Sequence, residues 1–407
     1  MCVGRLAGVE LQGAHIGSGA AFLLRGAPLK SDSIELDGWV TSVVRGKQFV
    51  VVRSGREFCL DDVLPEAVHF ANAGLDLLCL KSGGGCDVVI RDPDTDSLIW
   101  AAQGADVVMR ATVVIPLSSP VLSTETVPLD INGNEIPQPI PPDPRLHNTF
   151  RFIRAARTAE SLFEAYRNAF LALECLLDHL APQKSGEREG VWFKRALGVA
   201  NKKRSVSDLA PPGEQDPINW VYKNIYGDLR SGLMHAKQER GYHMPGDRAR
   251  HMDIEGSLTN LWLYVKKLMT DELGTPVWGD ELSDTSWRVV CEESLRTMRP
   301  SMTSDNSTKT KNDHPFALPG NSIVEISSGS VSHQGDSLSS IDGKCSGDEA
   351  RSLGVINRIG AMGAAGEARV LSELPSGLEV GGSVSEFQVR IGIRRSSFGG
   401  IRSYFSM

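Results

Sequence analysis

Between Phe152 and Leu180 the apolar residues Phe152, Ala156, Ala159, Phe163, Tyr166, Phe170, Leu173, Leu177 and Leu180 recur at alternating spacings of four and three. That is the period of one helix face, so the spacing predicts one long amphipathic helix from about Asn148 to Leu180. Leu162, Ala169 and Leu176 widen the stripe to the breadth of a core-facing helix, and Pro182 ends it. A face this long must be covered by other elements. Three further helical patterns follow to cover it: Glu189 to Ala200, a segment starting near Pro217 with Ile218, Val221, Tyr222 and Ile225, and a last one from about Asp247 to Leu273. Gly274 and Pro276 stop the last of these. Four helices over residues 146–275 suffice for an independent up-down bundle, and an all-α four-helix bundle is the expected second domain.

The flanks read differently. Residues 1–145 hold β-branched, turn-rich segments such as AAFLLR, KQFVVVR and DVVMRATVVIPL, with one helical interruption from Leu60 to Leu80. A β-rich N-terminal domain with one helix is expected there. His15 and His69 are isolated and read as ordinary surface or core histidines. Asn132 to Pro144 carries five prolines in thirteen residues, which favours a stiff, extended hinge, and a domain boundary is set near 145. After Trp278 the character changes: Thr285 to Met298 reads as one more short element, and from Arg299 to about Ser352 Ser, Thr, Gly, Asn, Asp and Lys dominate. Taken alone, such a stretch buries too little apolar surface to offset its ordering entropy, so residues 276–407 are expected to be a largely disordered tail with one plausible strand, FQVRIGI. The fold class expected from the whole is α+β.

Composition narrows the functional classes. The seven cysteines are scattered and form no CxxC pair, which argues against a zinc site and against a disulfide framework. No run approaches a membrane span, and the N-terminal MCVGRLAGVELQGAHIG lacks the apolar core of a secretory signal, so the expected compartment is the cytoplasm. The net charge of −7 excludes a surface that is basic throughout. Between Arg145 and Arg204, however, twelve Lys or Arg face six Asp or Glu. Lys202, Lys203 and Arg204 close that basic stretch and are candidate contacts for a nucleic-acid phosphate backbone.

The residues with the most chemistry lie in WVYKNIYGDLRSGLMHAKQERGYH, from Trp220 to His243. Arg230 and His235 combine a permanent cation with an imidazole that titrates near neutrality. The imidazole can move a proton while the guanidinium holds phosphate oxygens, which suits a phosphodiester. Five residues on an ideal helix turn through about 140°, so the two side chains converge only if the helix starts, ends or kinks here, or if a partner subunit intervenes. Upstream, Arg167, Glu174 and Asp178 align along the long helix at steps of seven and four. Glu174 reads either as part of a solvated face or as a group that reaches across to orient Arg230 or His235. No carboxylate cluster for paired metal ions is evident, and neither a metal nor another cofactor is expected.

The segment Arg230-Ser231-Gly232-Leu233-Met234-His235, its lead-in Ile225-Tyr226-Gly227-Asp228-Leu229, and the upstream helix with Ala172-Leu173-Glu174 resemble the HEPN superfamily, within it the group with Apea-like domains. The resemblance covers residues 148 to 273. The order of a β-rich front and such a bundle is also similar to bacterial proteins labelled methylamine-utilisation J. The HEPN resemblance implies metal-independent RNA cleavage by a homodimer, with Arg230 and His235 of both subunits at the interface and Glu174, Tyr226, Asp228 and Ser231 in support. It implies a ribonuclease acting as a toxin or phage-defence effector, restrained by an antitoxin or released by a trigger ligand. Two alternatives stand beside it: a non-catalytic dimerisation or adaptor module, and a ligand sensor built on the β-rich domain.

Overall fold

Strand-forming segments at the two ends of the sequence share sheets. In the computed structural model of the protein, the described residues are 2–13, 17–91, 93–94, 96–118, 132, 134, 146–159, 161–235, 242–244, 251–275, 284–308, 315–334 and 338–396. The hinge Asn132–Pro144, apart from Asn132 and Asn134, lies outside them, as does His15. Two compact units result, one of Met1–Ile115 with Asp284–Arg394, the other of Pro116–Ser283 with Arg395–Met407.

In the first unit the front supplies β1 (Gly4–Leu6), β2 (Val9–Glu10), β3 (Ser18–Leu23), β4 (Asp32–Leu36), β5 (Trp39–Val43), β6 (Phe49–Ser54), β7 (Asp96–Gln103) and β8 (Asp106–Ser118). Between them runs α1 (Leu60–Ser82), which buries Val63, Ala67, Ala71, Leu75 and Leu78 with Phe22, Trp39, Val50 and Val52 from the strands. Gly74 lets α1 approach β5 closely, because a Cβ there would come within 2.4 Å of Thr41. Of the described helices, α1 alone has the length and hydropathy to cross a membrane, and its apolar face is spent on this core.

The far end of the sequence supplies β9 (Arg299–Thr303), β10 (Ile323–Glu325), β11 (Ser327–Gln334), β12 (Leu338–Ser346), β13 (Ile356–Met362), β14 (Ala368–Val380) and β15 (Val384–Ser396). One sheet runs β10-β9-β13-β14-β1-β2, the other β11-β12-β15-β8-β7-β3-β6-β5-β4. β14 pairs antiparallel with β1, setting Gly4 opposite Val380. This overturns the expected fold class, in which a self-contained N-terminal β domain and a four-helix bundle precede a largely disordered tail. The tail lacks enough apolar residues to make a core alone. Its strands instead complete sheets begun by the front and bury Ile356, Ile359, Leu378, Val384, Phe387 and Ile391 there. A buried ion pair adds to this, Arg358 meeting Asp305 at 2.9 Å with both side chains almost wholly enclosed.

The second unit is helical but is not the expected up-down four-helix bundle. Its segments are α2 (Thr149–Arg157), α3 (Leu162–Leu180), α4 (Glu189–Asn201), a 3-10 turn at Val206–Leu209, α5 (Pro217–Val221), a π-helix at Tyr222–Arg230, α6 (Ser231–Met234) and α7 (His251–Leu273). The single helix expected from Asn148 to Leu180 is two. Ser161 accepts a hydrogen bond from the Glu164 N–H, a side-chain N-cap that starts α3 afresh. The apolar period runs on through this break, which hides it from a periodicity argument. The core gathers Tyr166, Phe170, Leu173 and Leu177 of α3, Phe193 and Leu197 of α4, Ile225, and Leu258, Leu261 and Leu268 of α7. Two more helices, α8 (Asp284–Arg296) and α9 (Gly347–Arg351), belong to the first unit.

Candidate functional site

Asp216 opens the segment that carries Arg230. Its carboxylate accepts from the Asn219 N–H, and Pro217 follows in the first turn, where its missing N–H costs nothing. From Tyr222 the backbone widens into the π-helix, whose bonds run from i to i+5, and it returns to α geometry at Ser231. The Ser231 hydroxyl donates to the Tyr226 carbonyl oxygen at 3.1 Å, five residues back. At His235 the backbone is extended, with φ −134° and ψ 109°, and the helix ends. The five residues from Arg230 to His235 therefore include a change of helical pitch at one end and a helix terminus at the other.

Arg230 sits in a pocket of rings and carboxylates and is only 16% exposed. Its Nη2 donates to Glu189 Oε1 at 2.7 Å and lies 3.6 Å from Glu174 Oε1. The guanidinium carbon is 5.1 Å from the centre of the Tyr226 ring and 6.0 Å from that of Phe170. Tyr226 stacks on Tyr222 at 5.4 Å and tilts against Phe193 at 4.8 Å. Two polar atoms in this pocket are buried without a hydrogen-bond partner, Arg230 Nε and Glu174 Oε1. Such groups are uncommon in folded proteins and concentrate at places with a function.

The electrostatics follow from this burial. Glu174 is pushed up to about 7, chiefly because burial disfavours its charge; Arg230 opposes the shift and Glu189 reinforces it. Tyr226 is pushed up to about 12, again mainly by burial, with Glu189 adding to it. A carboxyl that titrates near neutrality beside a fixed cation can exchange a proton at physiological pH.

The other candidate residues are placed less centrally. His235 is exposed, and its N–H donates to the Ser231 carbonyl at 2.9 Å. Among the described residues no hydrogen bond or ion pair joins it to Arg230. Asp228 is exposed and its carboxylate has no ion-pair partner among the described residues. Of the three basic residues at the end of α4, Lys203 meets Glu272 at 2.7 Å and Arg204 meets Asp271 at 2.9 Å, so their charge is largely neutralised by α7. Lys202 alone is exposed and unpaired among the described residues. His69 packs edge-on against Phe70 in the first unit.

Two contributors escaped sequence reasoning. Glu189, the closest partner of Arg230, looked like an ordinary acidic residue in the first turn of α4. His243 looked like one of nine histidines. The structure sets its N–H 2.9 Å from the Gly232 carbonyl oxygen, with its ring against Gly232 itself. A glycine midway between Arg230 and His235 was the one available signal that something approaches closely there.

In the first unit, the crevice lined by Leu6, Phe22, Phe49, Leu98, Val113 and Leu374 is mostly apolar and brings together no comparable set of titratable groups. No cluster of metal-ligating side chains occurs among the described residues. Comparison with protein-family models, with curated proteins and with solved structures finds no match.

Proposed function

We propose that this chain is an endoribonuclease that cleaves RNA by attack of the ribose 2′-hydroxyl on the adjacent phosphorus. His235 serves in proton transfer and Arg230 stabilises charge on the phosphoryl oxygens. The carrying observation is the unfinished polarity around Arg230. Both carboxylate contacts use Nη2, while Nε is a buried donor with no acceptor. A guanidinium has five N–H donors, so one held by Glu189 and Glu174 still has others for a phosphate. The helix terminus at His235 supports the reading, since an exposed imidazole there is accessible to a large substrate. RNA is the substrate class because only RNA carries the internal nucleophile. Imidazole and guanidinium chemistry needs no metal ion.

The resemblance of residues 225–235 to HEPN proteins extends the reading to a homodimer that acts as a toxin or defence effector under a trigger or an antitoxin. The seven free thiols fit a reducing cytoplasm.

A second reading has its own observation. The 2.7 Å bond from Arg230 to Glu189 ties the π-helix to α4, which suits a structural clamp in a non-catalytic interaction module. One experiment separates the two. Purified full-length protein is incubated with single-stranded RNA in EDTA, alongside Arg230→Ala and His235→Ala. Cleavage by the wild type that falls at least about a hundredfold in His235→Ala, with an unchanged melting temperature, supports the enzyme. RNA left intact by the wild type at high concentration supports the clamp.

A further inference from the structure

We infer that His243 is the second proton-transfer group of this site and divides the work with His235; the inference rests on the ribonuclease reading. His243 follows His235 by eight residues, yet the chain returns to the turn it left. Its N–H donates to the Gly232 carbonyl at 2.9 Å. The Cδ2–Nε2 edge of its ring covers Gly232 so closely that a Cβ there would lie 2.7 Å from Cδ2 and 2.8 Å from Nε2. His243 is half-buried, whereas His235 is exposed. One permanent cation and two imidazoles thus belong to the same short turn, Arg230 and His235 within its sequence and His243 laid on its middle residue.

The reaction gives the second imidazole a task. In-line attack on phosphorus removes a proton from the 2′-oxygen and adds one to the departing 5′-oxygen on the opposite side. A single fixed imidazole cannot reach both positions at once, and His243 supplies a second from within the same chain. With two, a neutral imidazole takes the 2′-hydroxyl proton as that oxygen bonds to phosphorus. An imidazolium gives its proton to the 5′-oxygen as the P–O5′ bond breaks. The products are a 2′,3′-cyclic phosphate and a 5′-hydroxyl, and proton exchange with water resets the pair. Gly232 is then the seat that positions His243.

The test uses the full chain with two substrates, a single-stranded RNA oligonucleotide and uridine 3′-(4-nitrophenyl phosphate), whose leaving group departs without a proton. His243→Phe keeps a ring over Gly232 but cannot move protons, and it guards against a His243→Ala variant that fails to fold. Expected is a loss of at least about a hundredfold in RNA cleavage by His243→Phe at an unchanged melting temperature. One of His235→Ala and His243→Phe, whichever lacks the acid, retains the nitrophenyl ester within about tenfold of wild type. RNA cleavage at the wild-type rate in His243→Phe overturns the inference and leaves the ribonuclease reading standing. Loss of both substrates in both variants overturns the division of labour. RNA left intact by the wild type overturns the reading and the inference together.

Discussion

Glu174 and Arg230 stand 3.6 Å apart, both largely buried, with Glu174 Oε1 accepting no hydrogen bond. The guanidinium spends its close contact, 2.7 Å, on Glu189. What remains for Glu174 is attraction too weak to repay the desolvation of a carboxylate, and its pKa rises to about 7.

That rise sets a pH dependence of known sign. Folding raises the pKa above the ordinary 4.5, so the proton is bound more tightly in the folded state. The resulting stability is fully present below pH 4.5 and is lost as the pH climbs through about 7. Glu174→Gln is neutral at every pH. It is expected to resist urea better than wild type at pH 8, by on the order of 2 kcal/mol, and to lose that advantage at acidic pH. Paired denaturation curves at the two pH values measure this, and a difference independent of pH would refute the assignment.

Gly232→Ala probes the seat of His243. The new methyl would meet a side chain rather than backbone, so the ring moves aside. Alanine gains up to about 1 kcal/mol over glycine in a helix, which offsets the lost contact. A melting temperature within about 3 °C of wild type is expected, together with RNA cleavage reduced roughly tenfold or more. Undiminished cleavage would show that the ring's position does not matter.

Asp305→Ala removes the carboxylate from the buried Arg358–Asp305 pair. Removing one member of such a pair costs about 3–5 kcal/mol. Burial by itself would raise the Asp305 pKa, but hydrogen bonds from Ser307 and the Leu318 N–H, with Arg358 beside it, hold it well below the usual carboxylate range. Its contribution is therefore present at neutral pH and lost in acid, as the pH falls below the ordinary 3.8. Chemical denaturation at pH 7 gives the loss directly.

Ending the chain at residue 298 tests the shared sheets. β15 lies between β12 and β8, and β14 flanks β1, so the truncation strips a central neighbour from the front of the chain. Residues 1–115 are expected to lose cooperative unfolding and to aggregate through the exposed edge of β8. A soluble truncated protein with an undisturbed melting transition would show that the front folds without the far strands.

Much of the local structure was legible. The helix expected at Leu60–Leu80 is found at Leu60–Ser82, and the start near Pro217 is where Asp216 caps α5. The break before α3 was written in the sequence as Ser161-x-x-Glu164 but was overridden by an apolar period that continues across it. For the site, Arg230, His235 and Glu174 could be singled out by residue type and spacing. The bond of Arg230 to Glu189 and the return of His243 to Gly232 could not, because neither leaves a local pattern.

The sequence by itself determined the helical character of Leu60–Ser82 and of most of residues 149–273, the start near Pro217, and the candidacy of Arg230, His235 and Glu174. Those properties are decided within a turn or two, by capping side chains and by the spacing of apolar groups. Only the tertiary structure decided that the far end of the chain supplies seven strands, Arg299–Thr303 to Val384–Ser396, because a weakly apolar segment is ordered or not according to the partner it finds, and β14 finds its partner in β1 at the other end of the chain. It also decided the character of the Arg230 pocket. Burial sets the cost of a charge, and burial is a property of the assembled core that no stretch of sequence contains.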